Sequence, residues 1–187
     1  FYDGADNLGS LGGTRPRKNA MGFLLGIDAA TQISQNARGY NFGELPPADP
    51  FGFVYQDTNR NGVRDPGEPG IAGVAVTISG TAFSGTPFAR PVVGADVAPG
   101  GNLTVFTDAN GLWQFNIIPP GLYTIRETQP TGFMDGLEQN ADPNGPAATV
   151  GNDVFTNVFL NPFPIRGPFN FGELVGTSGT DVSKRRL

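Results

Sequence analysis

The sequence predicts an all-β protein built as a sandwich of two sheets, and three observations support that prediction. Short runs of β-branched and aromatic residues alternate with turn-forming residues, with 28 Gly and 17 Pro among 187 residues. The segments VAVTIS (74–79) and LYTIRE (122–127) alternate apolar and polar positions, as strands with one buried face do. No stretch keeps the period of an amphipathic helix. A hydrophobic content of 38%, with 15 Phe, is sufficient for a core.

Seven strands are predicted along the chain. They cover Phe51–Gln56, Val74–Ser79, Leu103–Phe106, Leu112–Asn116, Leu122–Glu127, Asp153–Leu160 and Phe169–Glu173. The pair Asn110-Gly111 predicts a tight hairpin turn between two of them. Residues 80–102 are rich in Gly and Pro and are expected to form a long surface loop.

An internal repeat organises the chain. The pentapeptide NFGEL occurs at Asn41–Leu45 and again at Asn170–Leu174. A similar tetrapeptide precedes each copy, FYDG at 1–4 and FMDG at 133–136. Self-similarity of this kind is typical of proteins built from tandem structural units.

The repeat predicts the domain organisation. Residues 51–174 form one complete unit, whereas residues 1–45 match only the closing part of a unit, either of a preceding domain or donated to a neighbour. Residues 46–50 are then a linker, and residues 175–187 form a flexible basic tail. Because it starts at Phe1 in mid-repeat, the chain is expected to be a piece of something longer.

The strongest local motif is DTNRNGVRDPGE at Asp57–Glu68, which fits a calcium-loop pattern at every fixed position. In that pattern, side-chain oxygens on alternate residues, a backbone carbonyl and a closing Glu surround the ion. The predicted ligands are Asp57, Asn59, Asn61, Val63, Asp65 and Glu68. The flanks differ from those of an EF-hand, because a strand precedes the loop and Pro66 and Pro69 prevent a helix after it. The alternative interpretation is an Asx-rich surface turn without an ion.

Composition excludes several classes of function. The net charge of −5 argues against binding to nucleic acid or anionic membranes, and it suits a surface that holds divalent cations. The chain contains no Cys and no His, which excludes thiol nucleophiles, His-based triads and the usual zinc sites. Stability must then come from packing, metal or a cross-link other than a disulfide. No apolar run is long enough for membrane insertion.

Several motifs together point to a known family. The strand before the loop, the loop itself, TDANGLWQF, PPGLYTIRETQPTGFMDG and NFGEL resemble the serine-aspartate-repeat B-type domains of bacterial cell-surface proteins, within the wider collagen-adhesin B-like group. The resemblance covers residues 51–174 and, in part, residues 1–45. It implies an immunoglobulin-like β-sandwich, a calcium-stiffened structural role, a secreted or cell-surface location and no enzymatic activity.

The resemblance also implies further ion-binding residues. It supports the six loop ligands and adds Asp108 and Asn110 of TDANG as a possible second site, although ordinary turn roles explain that pair equally well. Asp135, Asp142 and Asn144 are residues of predicted acidic loops that could also coordinate an ion.

Relatives in the wider group carry an intramolecular isopeptide bond between a Lys on the first strand and an Asn or Asp on the last, assisted by a buried Glu. Glu127 and Asn170 match two of these positions, but the first strand has no Lys, and the chain has only Lys18 and Lys184. We therefore expect no isopeptide bond within the unit; a bond from either Lys to another unit is the alternative. Glu127 is then expected to be a strand-end carboxylate that is hydrogen-bonded to the backbone.

These observations predict a structural, calcium-dependent repeat of a secreted bacterial surface or fibre protein. Its expected partners are homotypic, other copies or adjacent repeats that assemble head to tail through repeat strands into a filament. The alternative is an adhesive module, in which the 80–102 loop or exposed aromatic residues bind a host or environmental protein or glycan. Trp113, at an alternate strand position, is expected in the core rather than in a sugar-binding platform.

Overall fold

The computed structural model describes residues 2–3, 7–8, 14–17, 20–22, 38, 40–41, 44–97, 100–161 and 165–176. The chain divides into two compact units, Phe1–Pro46 and Pro47–Leu187. The second unit contains most of the described residues and all of the predicted ion-binding side chains.

The first unit contains two antiparallel strand pairs among its described residues. Its strands are β1 (Tyr2–Asp3), β2 (Thr14–Arg17), β3 (Ala20–Gly22) and β4 (Glu44–Leu45). β1 pairs with β4, and β2 pairs with β3. A bridge between Asn7 and Asn41 extends the first pair, with reciprocal backbone hydrogen bonds of 2.9 and 3.2 Å.

The second unit is built from short strands joined by turns. The strands are β5 (Asp49–Gln56), β6 (Ala75–Ala82), β7 (Arg90–Pro91), β8 (Thr104–Phe106), β9 (Leu112–Gln114), β10 (Gly121–Glu127), β11 (Phe133–Asn140), β12 (Thr149–Gly151), β13 (Val154–Leu160), β14 (Ile165–Arg166) and β15 (Phe169–Val175). A 3₁₀ turn at Gly94–Asp96 lies between β7 and β8.

These strands form two sheets that pack face to face as a sandwich. One sheet has the order β12-β13-β10-β6-β7, with β8 also paired to β6. The other has the order β11-β15-β5-β14, with β9 also paired to β5. β5 and β15 run parallel, with Phe171 opposite Val54. The prediction of an all-β sandwich is confirmed.

The core lies between the sheets and follows from alternation along the strands. In β10, Tyr123 and Ile125 are buried, and the residues on either side of them are more exposed. Phe155 from one sheet packs against Phe171 from the other, with ring centroids 4.9 Å apart. Trp113 is only 1% exposed, so the prediction that it belongs to the core is confirmed.

The seven predicted strands are all present, with ends that differ by a few residues. β5 begins at Asp49, so the last residues of the predicted linker at 46–50 belong to the sheet. Ala48 is buried and forms a bridge with Ile118, which explains the earlier start. The predicted tail at 175–187 begins inside β15, and its residues after position 176 lie outside the described residues.

The segment at 80–102 is only partly the surface loop that we predicted. Its first residues extend β6, and β7 then returns to pair with β6. Val92 and Val97 enter the core, which a freely solvated loop would not allow. Arg90 forms an ion pair with Asp96 at 2.5 Å, and this contact closes the excursion.

The strand β11 was not predicted, because its sequence FMDGLEQN is poor in β-branched residues. It forms because it pairs with β15 along its length, with an irregularity between Asp135 and Glu138. The glycines of the two motifs allow this approach. A Cβ on Gly136 would lie 2.2 Å from the carbonyl oxygen of Gly172. Tertiary pairing therefore overrides the weak local preference.

The sequence repeat is also a repeat of strand pairing. In both copies, the residue before the Asp of the tetrapeptide pairs with the Leu of NFGEL, and the Asp pairs with its Glu. The pairs are Tyr2–Leu45 and Asp3–Glu44 in the first unit, and Met134–Leu174 and Asp135–Glu173 in the second. The bridge Asn7–Asn41 likewise corresponds to the pair Gln139–Asn170.

Candidate functional site

The calcium-loop motif begins where β5 ends. The N–H of Asp57 donates to the carbonyl of Glu173 at 2.8 Å, which fixes the start of the loop against β15. The Asp57 side chain is buried, and its two carboxylate oxygens accept the backbone N–H groups of Asn61 (3.1 Å) and Gly62 (2.8 Å). Gly62 has a φ of 73°, in the left-handed region that the sharp turn requires. Asp57 therefore holds the first turn of the loop in place.

Asp65 and Glu68 close the loop from its other end. Asp65 Oδ2 accepts the side-chain amides of Asn59 (2.7 Å) and Asn61 (2.8 Å). These two amides hold the pKa of Asp65 below its usual value, because they bond to the charged form. The two oxygens of Glu68 accept the backbone N–H groups of Thr58 (2.8 Å) and Asp65 (2.9 Å). The predicted side-chain ligands are thus joined in one hydrogen-bonded loop.

The donor set of this loop fits a calcium ion, because it consists of carboxylate, amide and backbone oxygens. In the conformation described, the loop is closed on itself. The carboxylates of Asp57, Asp65 and Glu68 do not converge to within 4.8 Å of one another, although residues 44–97 are all described. The two Asn amides turn their N–H groups toward Asp65, and an amide rotation would exchange them for oxygens. Val63, whose backbone carbonyl is the predicted ligand, is exposed.

The loop is fixed to the sandwich on two sides. The guanidinium of Arg64 lies 3.8 Å from the centre of the Phe53 ring and donates to the carbonyl of Asn110 at 3.4 Å. On the other side the loop approaches β11, since a Cβ on Gly62 would lie 2.9 Å from Cβ of Leu137. A change in the loop would therefore reach both the β9 hairpin and β11.

Asp108 and Asn110 have turn roles in this structure. Asp108 Oδ1 accepts the backbone N–H groups of Asn110 (2.8 Å) and Leu112 (2.9 Å), as in an Asx turn. In the described part of the chain, Asp108 joins no carboxylate triplet. A second ion at this hairpin stays a prediction, and the turn accounts for both residues.

Asp142 forms a buried ion pair with Arg166. Its Oδ2 accepts Nε (2.8 Å) and Nη2 (2.6 Å) of Arg166, and both side chains are 1% exposed. Arg166 also donates to the carbonyl of Phe159 at 2.9 Å and to the side chain of Asn161. Asn144 bonds to a backbone carbonyl beside this pair. In this structure the guanidinium neutralises the Asp142 carboxylate, and ion binding by Asp142 and Asn144 stays a prediction.

Asn170, at the predicted isopeptide position, ties three strands together. Its Oδ1 accepts the N–H of Phe53 at 3.1 Å, and its Nδ2 donates to Gln139 Oε1 at 3.3 Å. Lys18 and Lys184 lie outside the described residues, so the absence of an isopeptide bond stays a prediction.

Glu127 is not the backbone-bonded carboxylate that we expected. It is 3% exposed, and neither of its carboxylate oxygens has a hydrogen-bond partner. The alternation that buries Tyr123 and Ile125 in β10 also turns Glu127 toward the interior. The same holds in β15, where Glu173 lies in phase with the core residue Phe171 and is 1% exposed.

The two glutamates belong to a cluster of five carboxylates, which we call the acidic cluster: Glu127, Asp135, Glu138, Asp153 and Glu173. Two triplets within it bring oxygens to within 4.8 Å of one another, Glu127–Asp153–Glu173 and Asp135–Glu138–Asp153. Asp153 is common to both triplets, and its N–H donates to Glu138 Oε1 at 2.9 Å. Asp135, predicted in an acidic loop, lies instead in β11.

Burial and mutual repulsion raise pKa values in the acidic cluster. Desolvation, followed by the charge of Glu173, raises the pKa of Glu127 to about 9. Desolvation raises the pKa of Glu173 to about 8. The hydrogen bond that the Gln129 amide donates to the charged form opposes this rise. Burial also raises the pKa of Glu138. The charges that act on Glu127 are those of the other four carboxylates.

The described residues contain no helix that is long and apolar enough to cross a bilayer.

Comparison with known proteins identifies the family. Residues 52–158, more than half of the chain, match the model of the SdrD B-like domain. The chain is 27% identical over 178 residues to serine-aspartate repeat-containing protein F of Staphylococcus epidermidis. The aligned region covers 92% of this chain and 9% of that protein. It is 31% identical over 144 residues to serine-aspartate repeat-containing protein D of Staphylococcus aureus strain Newman. Here the aligned region covers 73% of this chain and 9% of that protein.

The chain spans about a tenth of the length of these curated relatives, so they describe a module within a larger protein. The matched residues run from β5 to β13 and include the calcium-loop motif. This agreement confirms the resemblance that the motifs indicated, and the chain belongs to the SdrD B-like domain family.

Proposed function

We propose that this chain is a structural module of a secreted bacterial surface protein and that calcium bound by the Asp57–Glu68 loop stiffens it. The observation that carries the proposal is the loop itself. Oxygen donors from one short segment follow the first strand of the sandwich, and Asp57 and Glu68 fix both ends of that segment by hydrogen bonds. Family membership supports the surface location.

The module is not an enzyme, since SdrD B-like domains belong to surface proteins of the adhesin type. The alternative of an adhesive module rests on exposed aromatic residues such as Phe88 and Phe106. The 80–102 segment, proposed as its binding loop, contributes Val92 and Val97 to the core. That packing favours the structural role.

The ion would be held by the six predicted ligands, and it would neutralise three carboxylates that otherwise repel one another. Arg64 links the loop to the β9 hairpin, and Gly62 packs it against β11. A rigid loop would therefore fix these elements relative to β5. Extracellular modules bind calcium at roughly 10⁻⁴ to 10⁻³ M, so one site adds about 0.5–1.5 kcal/mol in millimolar calcium.

The first prediction tests this loop by comparing Glu68→Gln with Glu44→Gln, a glutamate of the first NFGEL copy that is exposed. We expect calcium to raise the free energy of unfolding of the wild-type chain, and Glu68→Gln to lose about 1 kcal/mol of that increase. Urea denaturation followed by Trp113 fluorescence, in EDTA and in millimolar calcium, measures it. Glu44→Gln should respond like the wild type. Equal responses from all three chains would disprove the loop site.

We further propose that the partners are homotypic and that copies assemble head to tail through the repeat strands. The support is the shared pairing: the FYDG and NFGEL motifs of the first unit form the same register as their counterparts in the second. Strand pairing between chains supplies main-chain hydrogen bonds and needs no additional binding pocket. Light scattering across a concentration series measures the assembly, and a monomer at every concentration would contradict it.

A further inference from the structure

We propose that the acidic cluster is a second calcium site, placed between the two sheets and formed by ligands that the loop does not use. Glu127 comes from β10, and Asp153 comes from the turn that joins β12 to β13 in the same sheet. Glu173, Asp135 and Glu138 come from β15 and β11 in the other. An ion here would connect the two layers directly. The proposal does not depend on calcium binding by the Asp57–Glu68 loop.

The spacing of the carboxylates suits calcium. Calcium–oxygen distances are about 2.4 Å, so two ligands on opposite sides of one ion lie about 4.8 Å apart. One oxygen from each of Glu127, Asp153 and Glu173 lies within 4.8 Å of the other two. Asp135 and Glu138 meet the same limit around the shared Asp153. The Glu127–Asp153–Glu173 triplet can supply up to six of the six to eight oxygens that calcium takes, because each carboxylate can bind with both of its oxygens, and Asp135 and Glu138 adjoin it through Asp153.

Glu127 provides the independent observation that points to a ligand. Its side chain is 97% removed from solvent, and neither oxygen has a hydrogen-bond partner. A buried polar group without a partner is strongly unfavourable, and native structures almost always satisfy such groups. The oxygens of Glu127 lie near those of Asp153 and Glu173, which are acceptors and not donors when ionised. A cation satisfies all of them at once.

The chemistry of the cluster selects the class of ion. Its side-chain donors are hard carboxylate oxygens, and the chain has neither His nor Cys to favour zinc or copper. The charges that act on Glu127 are all negative, so the site attracts a multivalent cation rather than an anion. Magnesium prefers one or two carboxylates with several waters, whereas a set of five favours calcium.

The experiment is a calcium titration of the full chain by calorimetry, with Glu127→Gln as the test variant. Glu68→Gln removes a loop ligand, and Glu44→Gln serves as the matched control. Glutamine preserves the size of Glu127 and removes its charge, so the variant should fold at least as well as the wild type in EDTA. We expect Glu127→Gln to lose one equivalent of bound calcium and to show a smaller calcium-induced rise in Tm. Glu44→Gln should retain both.

The outcomes separate the two sites. If Glu68→Gln loses an equivalent and Glu127→Gln does not, the loop binds calcium and the interior site is disproved. If only Glu127→Gln loses an equivalent, the interior site stands and the loop proposal fails. If Glu127→Gln raises Tm in EDTA but leaves both stoichiometry and calcium response unchanged, the cluster holds only protons and the inference is overturned. Glu173→Gln repeats the test should Glu127→Gln fail to fold.

Discussion

The two NFGEL copies have the same strand register but place their glutamates in opposite environments. Glu44 in the first copy is exposed, whereas Glu173 in the second is 1% exposed. Each lies opposite the Asp of the preceding tetrapeptide, Asp3 or Asp135. The motif therefore encodes the pairing, and the surroundings determine whether its carboxylate is buried.

The surroundings differ because the second copy is part of a complete sandwich. β15 pairs with β11 on one side and with β5 on the other. In the described part of the first unit, β4 pairs only with β1. Phe171 packs against Trp113 and against Phe155 of the opposite sheet, so the second copy is covered on its inner face.

The largest expected effect comes from removing that cover. Phe171→Ala should destabilise the chain by about 3–5 kcal/mol, because it leaves a cavity between the sheets at a fully buried site. The matched control is Phe106→Ala, a strand Phe that is 68% exposed, with an expected change within about 0.5 kcal/mol. Urea denaturation measures both. Similar losses for the two variants would contradict the difference in burial on which the comparison rests.

A smaller effect is expected from pH in the absence of calcium. Glu127 and Glu173 have pKa values of about 9 and 8 in the folded chain, against an ordinary Glu pKa of 4.5. Between these limits the folded state binds more protons than the unfolded state, so stability falls as pH rises from about 5 to about 9. In EDTA, each proton that the folded state binds in excess makes the free energy of unfolding fall by about 1.4 kcal/mol per pH unit. In the double variant Glu127→Gln/Glu173→Gln, the free energy of unfolding should lose most of its dependence on pH across this range. Urea unfolding curves recorded at several pH values measure it.

The smallest effect compares the two motif glutamates directly. In EDTA at pH 7, Glu173→Gln should stabilise the chain by about 1 kcal/mol, because it removes a carboxyl whose charged form is disfavoured by burial and then by the neighbouring carboxylates. Its amide can still accept the bond from Gln129. Glu44→Gln should change stability by less than about 0.5 kcal/mol, since the side chain is exposed. Equal shifts in thermal unfolding would mean that the motif alone sets the environment.

The fold could be predicted from local patterns because most strands here satisfy their own preferences. LYTIRE and VAVTIS alternate, and each became part of a strand. β11 could not be predicted, because FMDGLEQN forms a strand only through its pairing with β15. Residues 80–102 fold back onto the sheet through the ion pair between Arg90 and Asp96 and through two buried valines. These contacts produce no periodic pattern in the sequence, so they could not be predicted from it.

The candidate sites divide in the same way. The loop at Asp57–Glu68 is contiguous, so its motif could be recognised from spacing alone. The acidic cluster draws on four strands or strand ends, and only the fold brings them together. One signal was present: in LYTIRE the glutamate shares the phase of Tyr123 and Ile125, which predicts that Glu127 points inward. The ion pair of Asp142 with Arg166 spans 24 residues and left no such signal.

The parallel pairing of β5 and β15 has a mechanical consequence. These strands open and close the second unit, and since they run in the same direction, the chain enters the sandwich at one end and leaves it at the other. Tension applied through the flanking chain therefore slides the two strands along each other. Their connecting hydrogen bonds are loaded together in shear instead of being unzipped one after another. A module joined in this way resists pulling applied through its two ends.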